Sequence, residues 1–248
     1  MSQQITAAFI IIGNEILNGR TQDENLNFIA TELNKLHINL TEVRVVRDIE
    51  DDIINATNQL RKKYHYVFTS GGIGPTHDDI TALSIAKAFK VKLICDTKAR
   101  NLLENHYEKH KLNDARMKMA YIPEGSILLN NPVSSAPGFK IENVFVMAGV
   151  PKIMQSMFIA SKEYLSGGKK TYSKAISAFI SEGDIANYLQ TIQDNYFNVE
   201  IGSYPFIKNG KLGTSLVFRS TDDILANEAL NQIKIYLTKL NIAIEREI

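Results

Sequence analysis

The sequence predicts an α/β fold, a three-layer domain around a mostly parallel sheet followed by a small α+β domain. Three observations carry this. Through the first two-thirds of the chain, short apolar runs alternate with segments of helical period, the pattern of right-handed crossovers that build a parallel sheet. A linker, Gly167-Gly168-Lys169-Lys170, then interrupts the pattern. Beyond it the order becomes strand, helix, two strands, helix. The expected domains are therefore 1–166 and 171–248.

Ala8-Phe9-Ile10-Ile11-Ile12 reads as a fully buried strand. Thr21-Gln22-Asp23-Glu24 has the spacing of a capping box, and Leu26, Ile29, Ala30, Leu33 and Leu36 form the core face of the helix it opens. Residues 40–46 make the next strand, and Ile53, Ala56, Thr57 and Leu60 mark the next helix. Tyr66 to Phe68 is a third strand and Ile80 to Phe89 a mostly apolar helix. Residues 97–110 and 114–120 read as helical, and Val144 to Met147 as a short strand before another helix. After the linker come a strand at 172–180, a helix carrying Ile185, Leu189 and Ile192, and strands near 198–202 and 212–218. Asn209-Gly210 between those strands is a two-residue hairpin signal. A long amphipathic helix (Leu230, Ile233, Leu237, Leu240) closes the unit.

Composition bounds the function. The chain has 248 residues and a net charge of +1, which gives no electrostatic case for nucleic acid or an anionic membrane as partner. Its single cysteine, Cys95, excludes an internal disulfide framework and fits a reducing compartment. Ala7 to Ile12 is too short to span a bilayer and no basic segment precedes it, so a cytoplasmic location is expected. Gly210-Lys211-Leu212-Gly213 has the form of an RNA-binding GxxG loop but falls in a hairpin rather than between helices, so RNA binding is not expected.

The stretch Thr69 to Thr81 carries the chemistry. A strand enters Gly71-Gly72-Ile73-Gly74-Pro75-Thr76, followed by His77, Asp78 and Asp79. Glycines let backbone N–H groups approach a phosphate, and a helix start at Thr76 would add positive potential. Two carboxylates there would repel phosphate unless a divalent cation lay between them. In an open parallel sheet, ligands bind beyond the C-terminal strand ends. The first strand delivers Gly13-Asn14-Glu15 there, the second Arg47-Asp48 and the third the glycine loop. Plain structural roles also exist: Thr76 and Asp79 have capping-box spacing, Asp48 stands where a helix N-cap would, and Ser134-Ser135-Ala136-Pro137-Gly138 reads equally as a turn.

Gly13-Asn14-Glu15-Ile16-Leu17-Asn18-Gly19, with Asp23 and Asn25, resembles the opening motif of the MoaB/Mog molybdopterin-binding-like domain. The segment Ser70 to Thr81 is similar to the TGGLGPTxDDxT signature of its competence/damage-inducible (CinA) branch. Asn131 to Gly138, Ala148 to Met154 and Ile201-Gly202-Ser203-Tyr204-Pro205 resemble further family segments, the last in a KH-like second domain. Ser70, Ser134, Ser135, Ala148 and Ile153 depart from the family pattern.

The resemblance implies metal-dependent hydrolysis of a nucleotide pyrophosphate bond, with an ADP-ribose- or FAD-like substrate. It also leaves two alternatives: a non-catalytic molybdopterin or nucleotide binder, or Mog-type adenylyl transfer. It assigns catalysis to Asp48 and Asp79, and a magnesium-type cation to Asp48, Asp78 and Asp79. Substrate contacts fall on Gly13, Asn14, Glu15, Asn25, Ser70, Gly71, Gly72, Gly74, Pro75, Thr76, Thr81, Ser135, Pro137, Gly138, Gly149 and Pro151. The partner implied is a small nucleotide or pterin phosphate, and the fold admits a homo-oligomer. The chain ends at Ile248, so the family's C-terminal amidase activity is not expected.

Overall fold

Residue by residue, β1 (Thr6–Ile12) sends its side chains alternately to two cores. Ala8, Ile10 and Ile12 face one, and Ala7, Phe9 and Ile11 face the other. A strand with helices on both sides has no polar face to show, which is why its sequence is continuously apolar. This computed structural model describes residues 4–108 and 110–247.

After β1 come a short helix α1 (Asn14–Leu17), α2 (Asn25–Lys35), β2 (Asn39–Val46), α3 (Glu50–Lys63), β3 (Tyr66–Ser70) and α4 (Thr81–Phe89). There follow β4 (Leu93–Cys95), α5 (Thr97–His106), α6 (Asp114–Met117), β5 (Tyr121–Pro123), β6 (Ile127–Leu129), β7 (Gly138–Ile141), β8 (Val144–Met147) and α7 (Pro151–Ser161). The six-stranded sheet runs β2-β1-β3-β8-β7-β6. Its first four strands are parallel, and β7 and β6 extend it antiparallel. Val67, Val144 and Val146 join the first core, where Ile53, Leu60 and Ile85 cover the sheet. Phe68, Phe145 and Met147 join the second, beneath Ile29, Leu33, Met154 and Phe158. Phe68 and Phe145 stack at 5.0 Å between ring centroids. The three-layer, mostly parallel architecture is as the sequence predicts.

The compact unit ending at Gly168 is followed by one beginning at Lys169. The second contains β9 (Tyr172–Ala178), α8 (Glu182–Asn195), β10 (Glu200–Lys208), β11 (Lys211–Ser220), α9 (Asp223–Lys239) and β12 (Ile244–Glu247). Its antiparallel sheet has the order β10-β11-β9-β12 and its own core around Ile176, Ile185, Phe218 and Ile233. Asn209 and Gly210 join β10 to β11 with φ of 52° and 73°, the double positive φ of a type I′ turn.

Several local expectations change. α4 spans Thr81–Phe89, as the Ile80–Phe89 reading expects, and the helix start expected at Thr76 is absent. Residues 76–79 instead form a turn, closed by the Asp79 side chain. α2 begins at Asn25, and Asp23 rather than Thr21 accepts an N–H of its first turn, from Leu26 at 2.7 Å. Asp48 does not cap α3, whose N-cap is Ile49. The predicted helix 97–110 ends at His106, and position 109 lies outside the described residues. Val91-Lys92-Leu93-Ile94-Cys95, which reads as a strand, forms one over Leu93–Cys95, while β5, β6, β7 and β12 are additions.

Candidate functional site

Four parallel strands end at one edge of the sheet, and their exits lock together. Gly13 donates its N–H to Val46 O (3.2 Å), and Gly71 donates to Met147 O (3.1 Å). Gly71 has φ of 107°, and a Cβ there would stand 2.0 Å from Ile12 O. Gly72 has φ of 67°, and its Cβ would meet Thr81 Oγ1 at 2.2 Å. Both conformations favour glycine and both approaches demand it. The fourth exit, Ala148 to Pro151 after β8, is held by buried Asn25, whose Nδ2 donates to Gly149 O at 2.8 Å.

The donors of the glycine loop differ from expectation. The Gly71 N–H belongs to the sheet edge, and the Thr76 N–H goes to Asp79 Oδ2 at 2.8 Å. The N–H groups of Gly72, Ile73 and Gly74 find no acceptor among the described residues. The amides left without an acceptor among the described residues are therefore three consecutive ones, without a helix start behind Thr76.

The acids are arranged by this loop. Thr76 Oγ1 stands 2.5 Å from Asp78 Oδ1 and 2.6 Å from Asp79 Oδ2. A hydroxyl has one proton, so it satisfies only one of these oxygens at a time. The Thr76 hydroxyl holds the Asp78 carboxyl below its ordinary pKa. A Cβ on Gly74 would lie 2.7 Å from Asp79 Oδ2, so glycine leaves room for that carboxylate. Asp48 Oδ2 accepts the Asn14 N–H at 2.8 Å. Among the described residues, no three or more His, Cys, Asp or Glu side chains gather as a metal-ligand group. The three-carboxylate ligand set expected from the sequence is thus not found as one group among the described residues, and one oxygen of Asp48 is engaged by the Asn14 N–H. The Asp78–Asp79 pair, two carboxylate oxygens sharing one proton, does fit a magnesium-type ion, which typically takes one or two carboxylates together with waters and substrate phosphates.

These groups line a cavity of about 610 Å³. Glu15, Asp48, Gly71, Gly72, Gly74, Pro75, Asp78, Asp79, Gly149 and Pro151 all line it. Other predicted residues lie elsewhere. Gly13 and Asn14 fix the β1 exit. Ser70 is buried in β3, and Asn25 and Thr81 are buried beneath the loops, with Asn25 Oδ1 and Thr81 Oγ1 lacking partners among the described residues. Thr76 orients the two acids. Ser135 (φ 57°) pairs its hydroxyl with His106 Nδ1 at 3.1 Å. Gly138 is buried in β7, where a Cβ would meet Val146 O at 2.6 Å, and Pro137 lines a neighbouring cavity.

Sequence reasoning missed Arg116. Among the described residues it is the one cation lining the acidic cavity. Its guanidinium lies 4.7 Å from the Tyr107 ring centroid and also donates to Lys111 O. It comes from α6, whose position over the cleft no sequence motif announces.

Residues 8–166 match the family model described as "Probable molybdopterin binding domain", and residues 170–245 match "FAD synthase, middle domain". A "Probable FAD synthase" of Caenorhabditis briggsae is 30% identical over 96% of this chain, which spans 50% of that relative's length. A "CinA-like protein" of Thermotoga neapolitana is 31% identical over 95% of this chain and 60% of its own length. The crystal structure of the protein CinA from Thermoplasma acidophilum superposes with a TM-score of 0.61 at 34% identity, covering 64% of this chain and 96% of that one. Among the described residues no helix is long and apolar enough to cross a membrane.

Proposed function

The chain belongs to the molybdopterin-binding-domain family and to its CinA-like members, and on that premise we propose that it hydrolyses the pyrophosphate bond of an ADP-ribose- or FAD-like nucleotide with a divalent cation. The observation that supports this best is the composition of one cavity wall. Three free backbone N–H groups, the guanidinium of Arg116 and the carboxylates of Asp48, Asp78 and Asp79 share it. Phosphoryl transfer needs positioning and charge neutralisation more than covalent chemistry.

Gly72, Ile73 and Gly74 donate to the diphosphate oxygens, and Arg116 offsets the remaining phosphate charge. Asp78 and Asp79 hold the cation, which when bound would polarise a phosphoryl oxygen. The Thr76 hydroxyl lies within hydrogen-bond distance of both carboxylates and ties them to the glycine loop. Asp48 has one oxygen fixed by Asn14 N–H, leaving Oδ1 to accept the proton of the attacking water. Glu15 lines the same cavity as a ribose contact.

The test is product formation from ADP-ribose and from FAD, with and without magnesium or manganese. The Asp79→Asn variant is expected to retain its fold and lose turnover by about 100-fold or more. No product under any condition, or full activity in that variant, would overturn the proposal. The absence of a three-carboxylate group among the described residues favours a second reading, a nucleotide or molybdopterin binder without catalysis. Tight ligand binding with no product in the same assay would select it.

A further inference from the structure

The glycine loop has a second side. Gly72, Ile73, Gly74, Asp79 and Met119 wall the polar cavity and equally wall a neighbouring cavity of about 400 Å³. That volume lies within the range of about 300–1,000 Å³ found for small-molecule pockets. Its remaining lining is dominated by Leu83, Leu93, Met117, Tyr121, Ile122 and Phe139. Phe139 is fully buried at its base, while Leu83 and Tyr121 remain 38% and 41% exposed. Lys118 fastens this wall to the glycine loop by donating Nζ to Thr76 O at 2.7 Å. Leu83, Leu93, Met117, Tyr121, Ile122 and Phe139 have no part in the hydrolysis proposed above.

We propose that this cavity is the subsite for the planar heteroaromatic ring at one end of the nucleotide, a purine- or flavin-type ring. The inference rests on the nucleotide reading of the adjoining cleft. A diphosphate bound to the Gly72–Gly74 amides would lie against residues that border both cavities, which sets one end of the molecule beside the second cavity. The lining selects what that end is. A sugar or phosphate there would set most of its hydroxyls or its charge against apolar walls, with Asp114 and Lys118 too few to satisfy them. A flat ring gains contacts with aromatic side chains and with the thioethers of Met117 and Met119. Asp114 and Lys118 supply an acceptor and a donor for the ring's polar edge.

The experiment measures calorimetric affinities of inorganic pyrophosphate, AMP and FMN for the full chain and for Leu83→Trp. Leu83 lines only the ring cavity of the two, and the chain has no native tryptophan, so the new indole also reports directly on its own surroundings. Pyrophosphate should bind within twofold of the wild-type affinity. AMP or FMN, whichever carries the ring that fits, should weaken at least tenfold and should change the indole emission. Tyr121→Ala, at the half-exposed mouth, should weaken the same ligand and provides the reading if the tryptophan variant does not fold. Failure of both AMP and FMN to bind the wild type overturns the assignment. So does unchanged binding of both in the variants, or a loss of pyrophosphate binding equal to the loss of ring binding. These are affinities and not turnover, so the ring subsite and the hydrolase reading fail or stand separately.

Discussion

Two glycines three residues apart do different work, and substitution separates them. At Gly71 the backbone has φ of 107°, and an added Cβ would sit 2.0 Å from a main-chain oxygen that belongs to the sheet core. Gly71→Ala is therefore expected to destabilise the protein by about 2 kcal/mol or more, from the positive φ and the displaced strand together. At Gly74 φ is not positive, and the three atoms nearest to an added Cβ all belong to the Asp79 carboxylate. Gly74→Ala should leave the melting temperature nearly unchanged and lower turnover by about 10- to 100-fold through a displaced carboxylate. Thermal melts of both variants beside initial rates of the second check this. Equal melting losses in the two, or full activity in Gly74→Ala, would contradict it. The pattern of glycines was legible in the sequence. Their division of labour was not, because it depends on which neighbouring strand each one meets.

At the scale of elements, the buried strands were legible because two-sided burial leaves a continuous apolar run that nothing else in the chain imitates. The short strands β5 and β6 and the terminal β12 were not, since Tyr121-Ile122-Pro123 or Ile244-Glu245-Arg246-Glu247 has too few residues to show a period. A helix start was misplaced at Thr76 because Thr76 and Asp79 satisfy each other in a free-standing turn with the same spacing that a capping box uses. Arg116 was invisible for another reason: α6 returns to the cleft through tertiary packing that leaves no local signature. The sheet edge shows a comparable tertiary tie. Glu42 on β2 accepts from Tyr64 Oη at 2.6 Å and Lys63 Nζ at 2.9 Å at the C-terminal end of α3, and pairs with Arg44 on its own strand. These donors, Tyr64 foremost, hold its carboxyl at about 2. A carboxyl whose folded pKa lies below its ordinary 4.5 stabilises the fold fully above that value, and the contribution is lost as pH falls through about 2. Glu42→Gln should thus be less stable than wild type by about 1 kcal/mol near neutrality, with the gap closing between pH 4.5 and about 2. Denaturant titrations at pH 7 and pH 2.5 that give the same gap would exclude this role.

For the molecule as a whole, the informative feature is that, among the described residues, each hydrophobic core is built from one side of the linker. The cores around Phe9, Phe68 and Phe145 and around Ile10 and Val67 draw only on residues before Gly168. The core around Ile176, Phe218 and Ile233 draws only on residues after it. Every residue lining the two cavities also lies in the first unit. A domain that holds its own core and its own site has what it needs to fold and bind by itself. Cleavage within the glycine–lysine linker, or expression of a chain stopped at Gly168, should give a folded fragment that binds ADP-ribose within about threefold of the intact affinity. Nucleotide should then raise the melting temperature of that fragment and leave a fragment beginning at Lys169 unmoved, because a ligand stabilises only the fold that binds it. If the first fragment is folded by circular dichroism yet has lost ADP-ribose affinity, residues beyond the linker complete the site. If both fragments shift with nucleotide, the second unit carries a site of its own.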